Sequence, residues 1–318
     1  MTGERSIVIN GDLGSGKSTV ARELASRLGV RRVAMGDVHR QMAQAMKLTT
    51  LELNQRAEAD EAIDDHVDQV QKDLASSGER LVVDSRLGWH FFPDAFKTYL
   101  IVDPRVAAER VVVRPADAVE GYSSLEEAEE RLQSRSHSER ARFIARYGVD
   151  KYRLRNYDLV CDTTSASATE VTDIVVDAVT GVLAPRIVHD TPPLLLLDPA
   201  RLFPTREATP EDSSAAVQAI VPGTPGAVRD AVRRFEPLGI GHAGRHFYVL
   251  EGHRRLSSAL RAGLPIVPGR LVAERDEIAA DDLTAVEYFR SHVTAEIVAA
   301  WEAVHGTRLA VPAHLRGE

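Results

Sequence analysis

Residues 11–18 read Gly11-Asp12-Leu13-Gly14-Ser15-Gly16-Lys17-Ser18, which satisfies the pattern G-x-x-x-x-G-K-[ST]. The preceding run, Ser6-Ile7-Val8-Ile9-Asn10, is short, apolar and β-branched, and predicts a buried parallel strand that delivers the chain into the loop. Gly11, Gly14 and Gly16 let backbone N–H groups, including that of Ser15, converge on phosphate oxygens. The helix that follows, which carries Ser18 and Thr19 in its first turn, adds its positive dipole end at the same spot. Lys17 is placed to reach the β- and γ-phosphates of ATP, and the Ser18 hydroxyl to ligate a Mg²⁺ that bridges them.

Around this loop, strand and helix signals alternate through residue 180, the pattern of a parallel sheet with helices on both faces. The helix after the loop is expected over 15–28, stopping before Gly29, and a second strand over Arg32 to Met35. Residues 37–73 read as polar and helical. Their acidic run, Glu58 to Asp65, reads as a solvated helix face. Strands at 81–84 and 98–103 each end in an aspartate, Asp84 and Asp103, where open α/β sheets place ligands. Asp84 adjoins the loop and is the candidate second Mg²⁺ holder. A fifth strand is expected over 157–162 and a last helix near 168–183.

The chain has 318 residues, about twice the usual domain size, so two domains are expected. Their boundaries read as 1–184 and 194–318, with a proline-marked linker at 185–193. No apolar run approaches the length of a membrane span and no targeting segment precedes the first strand, which points to the cytoplasm. The only cysteine, Cys161, sits in an apolar run and reads as a core residue. A net charge of −8 speaks against non-specific attraction to nucleic acid.

Further positions in residues 1–180 resemble the cytidylate kinase family, particularly its compact archaeal-type members. These are Gly36-Asp37-Val38-His39-Arg40, then Asp84-Ser85-Arg86-Leu87-Gly88-Trp89 with Phe92-Pro93-Asp94, then Arg135 and Arg142 with Glu139 between them. The resemblance implies a nucleoside monophosphate kinase-like α/β fold, with Asp37, Arg40 and Arg86 at the acceptor and Arg135 and Arg142 closing over the transferring group. Any one arginine alone reads as a surface ion pair of little worth. As a set ordered around a phosphate loop they point to phosphate, because a guanidinium matches its oxygens bidentately. His39 stands where the family has an apolar or aromatic residue, and the Asp84–Trp89 loop departs in length, which implies a reshaped acceptor pocket. CMP or dCMP is the acceptor that the resemblance implies.

Beyond residue 193, Phe247 to Gly263 combines strand, glycine turn and helix around Glu251-Gly252-His253-Arg254-Arg255. With Leu197–Thr205 and Ile266–Val272, it resembles the ParB/sulfiredoxin-like domain, a smaller α+β fold. In that superfamily these motif positions bind nucleotide phosphates, implying a second nucleotide here. A reductase role lacks its cysteine near the motif, and a DNA clamp lacks its appended DNA-binding region. Phosphorylation of a serine-like amino acid and a purely regulatory nucleotide site both stay open. The helical stretch 285–304 suits packing or assembly into a homo-oligomer.

Overall fold

The structure, a computed structural model, describes residues 5–48, 52–53, 56, 61–113, 122–183, 193–209, 212 and 226–310. The chain divides into two units, Met1–Lys151 with Val175–Val182, and Tyr152–Ile174 with Leu183–Glu318. The expected linker lies outside the described residues except for Pro193, as do Glu58 to Asp60 of the acidic run.

The first unit is built on β1 (Ile7–Gly11), β2 (Arg31–Ala34), β3 (Leu81–Asp84) and β4 (Phe96–Ile101), in the order β2-β3-β1-β4 with every neighbouring pair parallel. Ile7, Val8 and Ile9 are wholly buried. Each such side chain contributes about 1.5–3 kcal/mol, and the unbroken apolar run is what a strand covered on both faces requires. Register sets Ile9 beside Asp84 on one side and Thr98 on the other. The carboxyl ends therefore share one edge, and the phosphate loop leaves the sheet beside Asp84.

The helix after the loop runs over Lys17–Leu28, buries Val20, Ala21, Leu24 and Ala25, and ends at a left-handed Gly29. β2 stops at Ala34 because Met35 already begins the helix Met35–Ala45. The polar stretch beyond yields a further helix, Glu61–Ser76. Asp103 falls past β4 and does not end a strand. Its side chain accepts the Arg105 N–H at 2.9 Å and caps the helix Pro104–Val112, whose proline suits a first helical position. The helix Leu125–Tyr147 starts at Ser124, which accepts the Glu127 N–H at 3.1 Å. Its buried residues Ala128, Leu132, Ser136, Glu139 and Phe143 recur every three or four positions and form one stripe.

The second unit holds β5 (Leu159–Asp162), β6 (Leu194–Leu197), β7 (Leu202–Phe203), β8 (Leu238–Ala243), β9 (His246–Glu251) and β10 (Val267–Glu274), in the order β5-β6-β10-β8-β9-β7. The sheet is mixed: β5/β6, β10/β8 and β7/β9 are parallel, β6/β10 and β8/β9 antiparallel. The strand expected at 157–162 groups with this unit, with Leu159 opposite Leu194. Glu274, fully buried, accepts the N–H groups of Leu154 at 2.9 Å and Arg155 at 3.3 Å. The 285–304 stretch forms two helices, Ala285–His292 and Ala295–His305, because Thr294 caps the second. Cys161 is buried in β5, where burial pushes its thiol pKa up. The helix expected near 168–183 spans Ala168–Val179. Among the described residues no helix is long and apolar enough to cross a membrane.

Candidate active site

The phosphate loop keeps its shape through backbone conformations that side chains disfavour. Gly14 has φ +78°, and a Cβ there would come within 2.8 Å of Ala107. Gly16, at φ +81°, caps the helix that follows. Ser15 is buried and its hydroxyl donates to the Asp12 carbonyl at 2.8 Å, while Tyr99 donates to the Asp12 carboxylate at 2.9 Å. Lys17 Nζ donates to the carbonyls of Gly11 at 2.9 Å and Asp12 at 2.6 Å. Burial lowers the Lys17 pKa to about 8 against the pull of Asp84, with Arg86 pushing the same way as burial.

Beside the loop lies a cavity of about 690 Å³. Gly14, Gly16, Lys17, Ser18 and Asp84 line it at the sheet edge, and Arg40, Arg86, Arg135 and Arg142 line it too. Gly11, Ser15, Thr19 and Asp37 are not on its wall. The helix start, β3, the bend after β3, the helix 35–45 and the helix 125–147 thus deliver most of the first unit's sequence-predicted groups to one space. Ser18 Oγ donates to Asp84 Oδ2 at 2.7 Å, two hard oxygens side by side that suit Mg²⁺. Asp37 pairs with Arg40 and lies 3.7 Å from Arg32.

Several residues on or behind this wall escaped the sequence reading. Arg32 reaches Asp84 Oδ2 at 3.4 Å. Asp64 and Asp68 are buried on the cavity wall; Asp64 belongs to the run 58–65, so its burial corrects the reading of that run as a solvated face, while Asp65 is well exposed. The i, i+4 spacing of Asp64 and Asp68 beside Ile63 and Val67 was the available signal. Tyr147 donates to Asp68 at 2.9 Å, and burial keeps the Asp68 pKa raised. Arg142 lies 4.0 Å from Asp64. Gln71 accepts from Ser85 Oγ at 2.7 Å. His39 Nε2 is buried without a hydrogen-bond partner, and burial together with Arg86 lowers its pKa.

In the second unit, Gly252 at φ +98° opens the helix His253–Arg261 directly after β9. The motif residues diverge from there. Glu251 and Arg254 are exposed, and Glu251 pairs with Arg270 at 3.3 Å. Arg255 is held by the Pro237 carbonyl at 3.0 Å and by Glu236 at 2.8 Å. His253 turns inward, its Nε2 3.3 Å from the Thr205 N–H, and burial with Arg206 lowers its pKa to about 4.

A family model described as an AAA domain matches residues 7–142. The cytidylate kinase of Natronomonas pharaonis is 39% identical over 175 residues, spanning 54% of this chain and 88% of that protein. The cytidylate kinase of Methanothermobacter thermautotrophicus is 36% identical over 162 residues, spanning 51% of this chain and 97% of the relative. An S-adenosylmethionine-dependent nucleotide dehydratase of Lacinutrix mariniflava is 34% identical over 172 residues, which span 54% of this chain and 35% of that protein. Fold, loop and relatives together define a P-loop kinase, a phosphotransferase. Through its amino-terminal half the chain belongs to the cytidylate kinase family.

Proposed function

We propose that this chain transfers the γ-phosphoryl group of ATP, with Mg²⁺, to a nucleoside monophosphate, and that CMP or dCMP is the acceptor. The observation that carries this reading is the single cavity shared by Lys17, Ser18 and Asp84 with Arg40, Arg86, Arg135 and Arg142. An acceptor phosphate oxygen bonds to the γ-phosphorus as the bond to the β–γ bridging oxygen breaks, and ADP leaves with that electron pair. An ionised acceptor phosphate carries no proton that must be removed, so positioning and charge neutralisation suffice.

In this scheme Lys17 exchanges its two loop carbonyls for β- and γ-phosphate oxygens. Arg40 and Arg86 hold the acceptor phosphate, while Arg135 and Arg142 neutralise the transferring group. Ser18 and Asp84 are the residues that would hold Mg²⁺, which when bound neutralises charge on the phosphate oxygens. Each well-placed donor of this kind supplies about 3–4 kcal/mol of barrier lowering. The buried carboxylates Asp64 and Asp68 offer acceptors to the amino group of a base such as cytosine.

A second nucleotide is proposed for the second unit, at 251–255. It is favoured by a left-handed Gly252 that opens a helix straight after a strand, as the resemblance to the ParB/sulfiredoxin-like domain implies. His253 is turned inward and Arg255 is tied to Glu236, so the turn at Gly252 is what that site would present to the phosphates.

The test is incubation of the full chain with Mg-ATP, a panel of nucleoside monophosphates and L-serine, with products identified by mass spectrometry. Conversion of CMP or dCMP that disappears in Lys17→Ala supports the acceptor assignment. Turnover of another acceptor, phosphoserine included, overturns it.

A further inference from the structure

Glu139 stands on the buried stripe of the helix 125–147, where an ionised carboxylate opposes folding unless its charge is compensated. The compensation comes from three cations. Arg86 Nη1, from the bend after β3, reaches Oε1 at 2.8 Å, and Arg135 Nε, one helical turn earlier, reaches the same oxygen at 3.2 Å. Lys151 Nζ takes the other oxygen, Oε2, at 3.2 Å. Burial alone would raise the Glu139 pKa, but Arg86, Lys151 and Arg135 outweigh it and hold the group down to about 2. Arg86 and Arg135 line the cavity, whereas Glu139 does not. The carboxylate therefore supports both wall cations from behind.

Two guanidinium groups carried by separate segments repel each other, and an anion between them offsets that repulsion and fixes their spacing before any phosphate arrives. One oxygen that accepts both sets it. Lys151, bound to the second oxygen, resists rotation of the carboxylate toward either arginine. We propose that Glu139 is the positioning residue of the phosphate clamp, holding Arg86, at the acceptor phosphate, and Arg135, over the transferring group, at the separation that phosphoryl transfer requires. The inference rests on the phosphate role proposed for those two arginines, not on the identity of the acceptor. It separates two quantities that a merely structural role would move together. Loss of the Glu139 charge frees positive charge for polyanion binding while it disorders the geometry needed for transfer.

The experiment uses the full chain and the variants Glu139→Gln and Glu139→Asp, with Mg-ATP and whichever nucleoside monophosphate the unaltered protein phosphorylates. Inorganic tripolyphosphate serves as the binding probe. The Gln variant is expected to lose about 10²-fold in kcat while it binds tripolyphosphate as tightly as the parent or tighter. The Asp variant keeps the charge one methylene back, and its kcat is expected to fall between the two. A Gln variant whose kcat stays within about twofold of the parent overturns the proposal, as does a parallel fall of kcat and tripolyphosphate affinity in folded variants. Should the Gln variant not fold, the Asp variant decides: lower kcat at unchanged tripolyphosphate affinity supports the proposal, and unchanged kcat overturns it. If the parent phosphorylates no nucleoside monophosphate, the acceptor reading fails on its own, and the clamp is read from the ATP hydrolysis rate of the same variants.

Discussion

Binding of Mg-ATP to this protein is expected to weaken as pH rises past 8, because the ligand-free Lys17 ammonium is already close to losing its proton there. Burial favours the neutral amine, and the two loop carbonyls that Nζ contacts do not fully replace its hydration. A triphosphate in the loop places negative charge against Nζ and raises the pKa well above 8. The bound state then holds more protons than the free state at alkaline pH, so raising pH opposes binding. With a free-state pKa of about 8, the dissociation constant is expected to change little between pH 6 and 7 and to climb toward tenfold per unit above 8. By pH 9 the loss is about tenfold, or about 1.4 kcal/mol. Calorimetry with a non-hydrolysable ATP analogue, in buffers of different ionisation enthalpy, reads the linked proton directly: about one-half taken up at pH 8 and about nine-tenths at pH 9. Lys17→Arg, whose charge persists across this range, is expected to abolish the dependence even where it binds less tightly. A flat dissociation constant from pH 7 to 9 with no proton uptake would refute the argument that burial has tuned this lysine.

Asp84→Asn is expected to preserve the fold and cut kcat by about 10²–10³-fold, with a higher Mg²⁺ requirement in a metal titration, because Ser18 then faces an amide in place of a carboxylate. The same change removes the charge that raises the Lys17 pKa, so the alkaline limb of ATP binding moves to lower pH. Gly14→Ala is expected to weaken ATP binding at least tenfold and to cost about 1–3 kcal/mol in denaturant unfolding, since it combines a positive φ with a 2.8 Å approach to Ala107. Gly16→Ala meets no atom within 4 Å among the described residues and costs about 1–2 kcal/mol for its left-handed backbone alone. In the second unit, Glu274→Ala leaves the N–H groups of Leu154 and Arg155 without their buried acceptor and is expected to cost about 2–5 kcal/mol by chemical denaturation, with Glu274→Gln costing less.

The phosphate loop could be read from sequence because eight contiguous residues carry it, and a strand and a helix of the right composition flank it. Asp84 was legible for a related reason: a short apolar run that ends in aspartate places that aspartate at the carboxyl edge of a parallel sheet. Asp103, read by the same rule, became a helix cap because Pro104 started a helix before the residue could serve the edge. The arginines came into view only through their order along the chain, and nothing local told Arg86 and Arg135 apart from solvated cations. The charge density of residues 58–65 suggests solvent, yet Asp64 is buried, because its i, i+4 pairing with Asp68 next to Ile63 and Val67 sets both carboxylates on the inward side of their helix.

Glu139 marks where local pattern gives out. Leu132, Ser136, Glu139 and Phe143 share a three-to-four spacing, so the sequence does contain the information that this carboxylate is buried. A buried carboxylate in turn demands a cation. Which cation answers depends on the fold: Arg135 is a neighbour on the same helix, but Arg86 and Lys151 reach the site from other segments, and no periodicity connects them to position 139. Local spacing can therefore establish that a charge is buried, but only the tertiary structure shows that two of its partners line the cavity beside the phosphate loop, and on that placement rests the role proposed for an acidic residue on a core stripe.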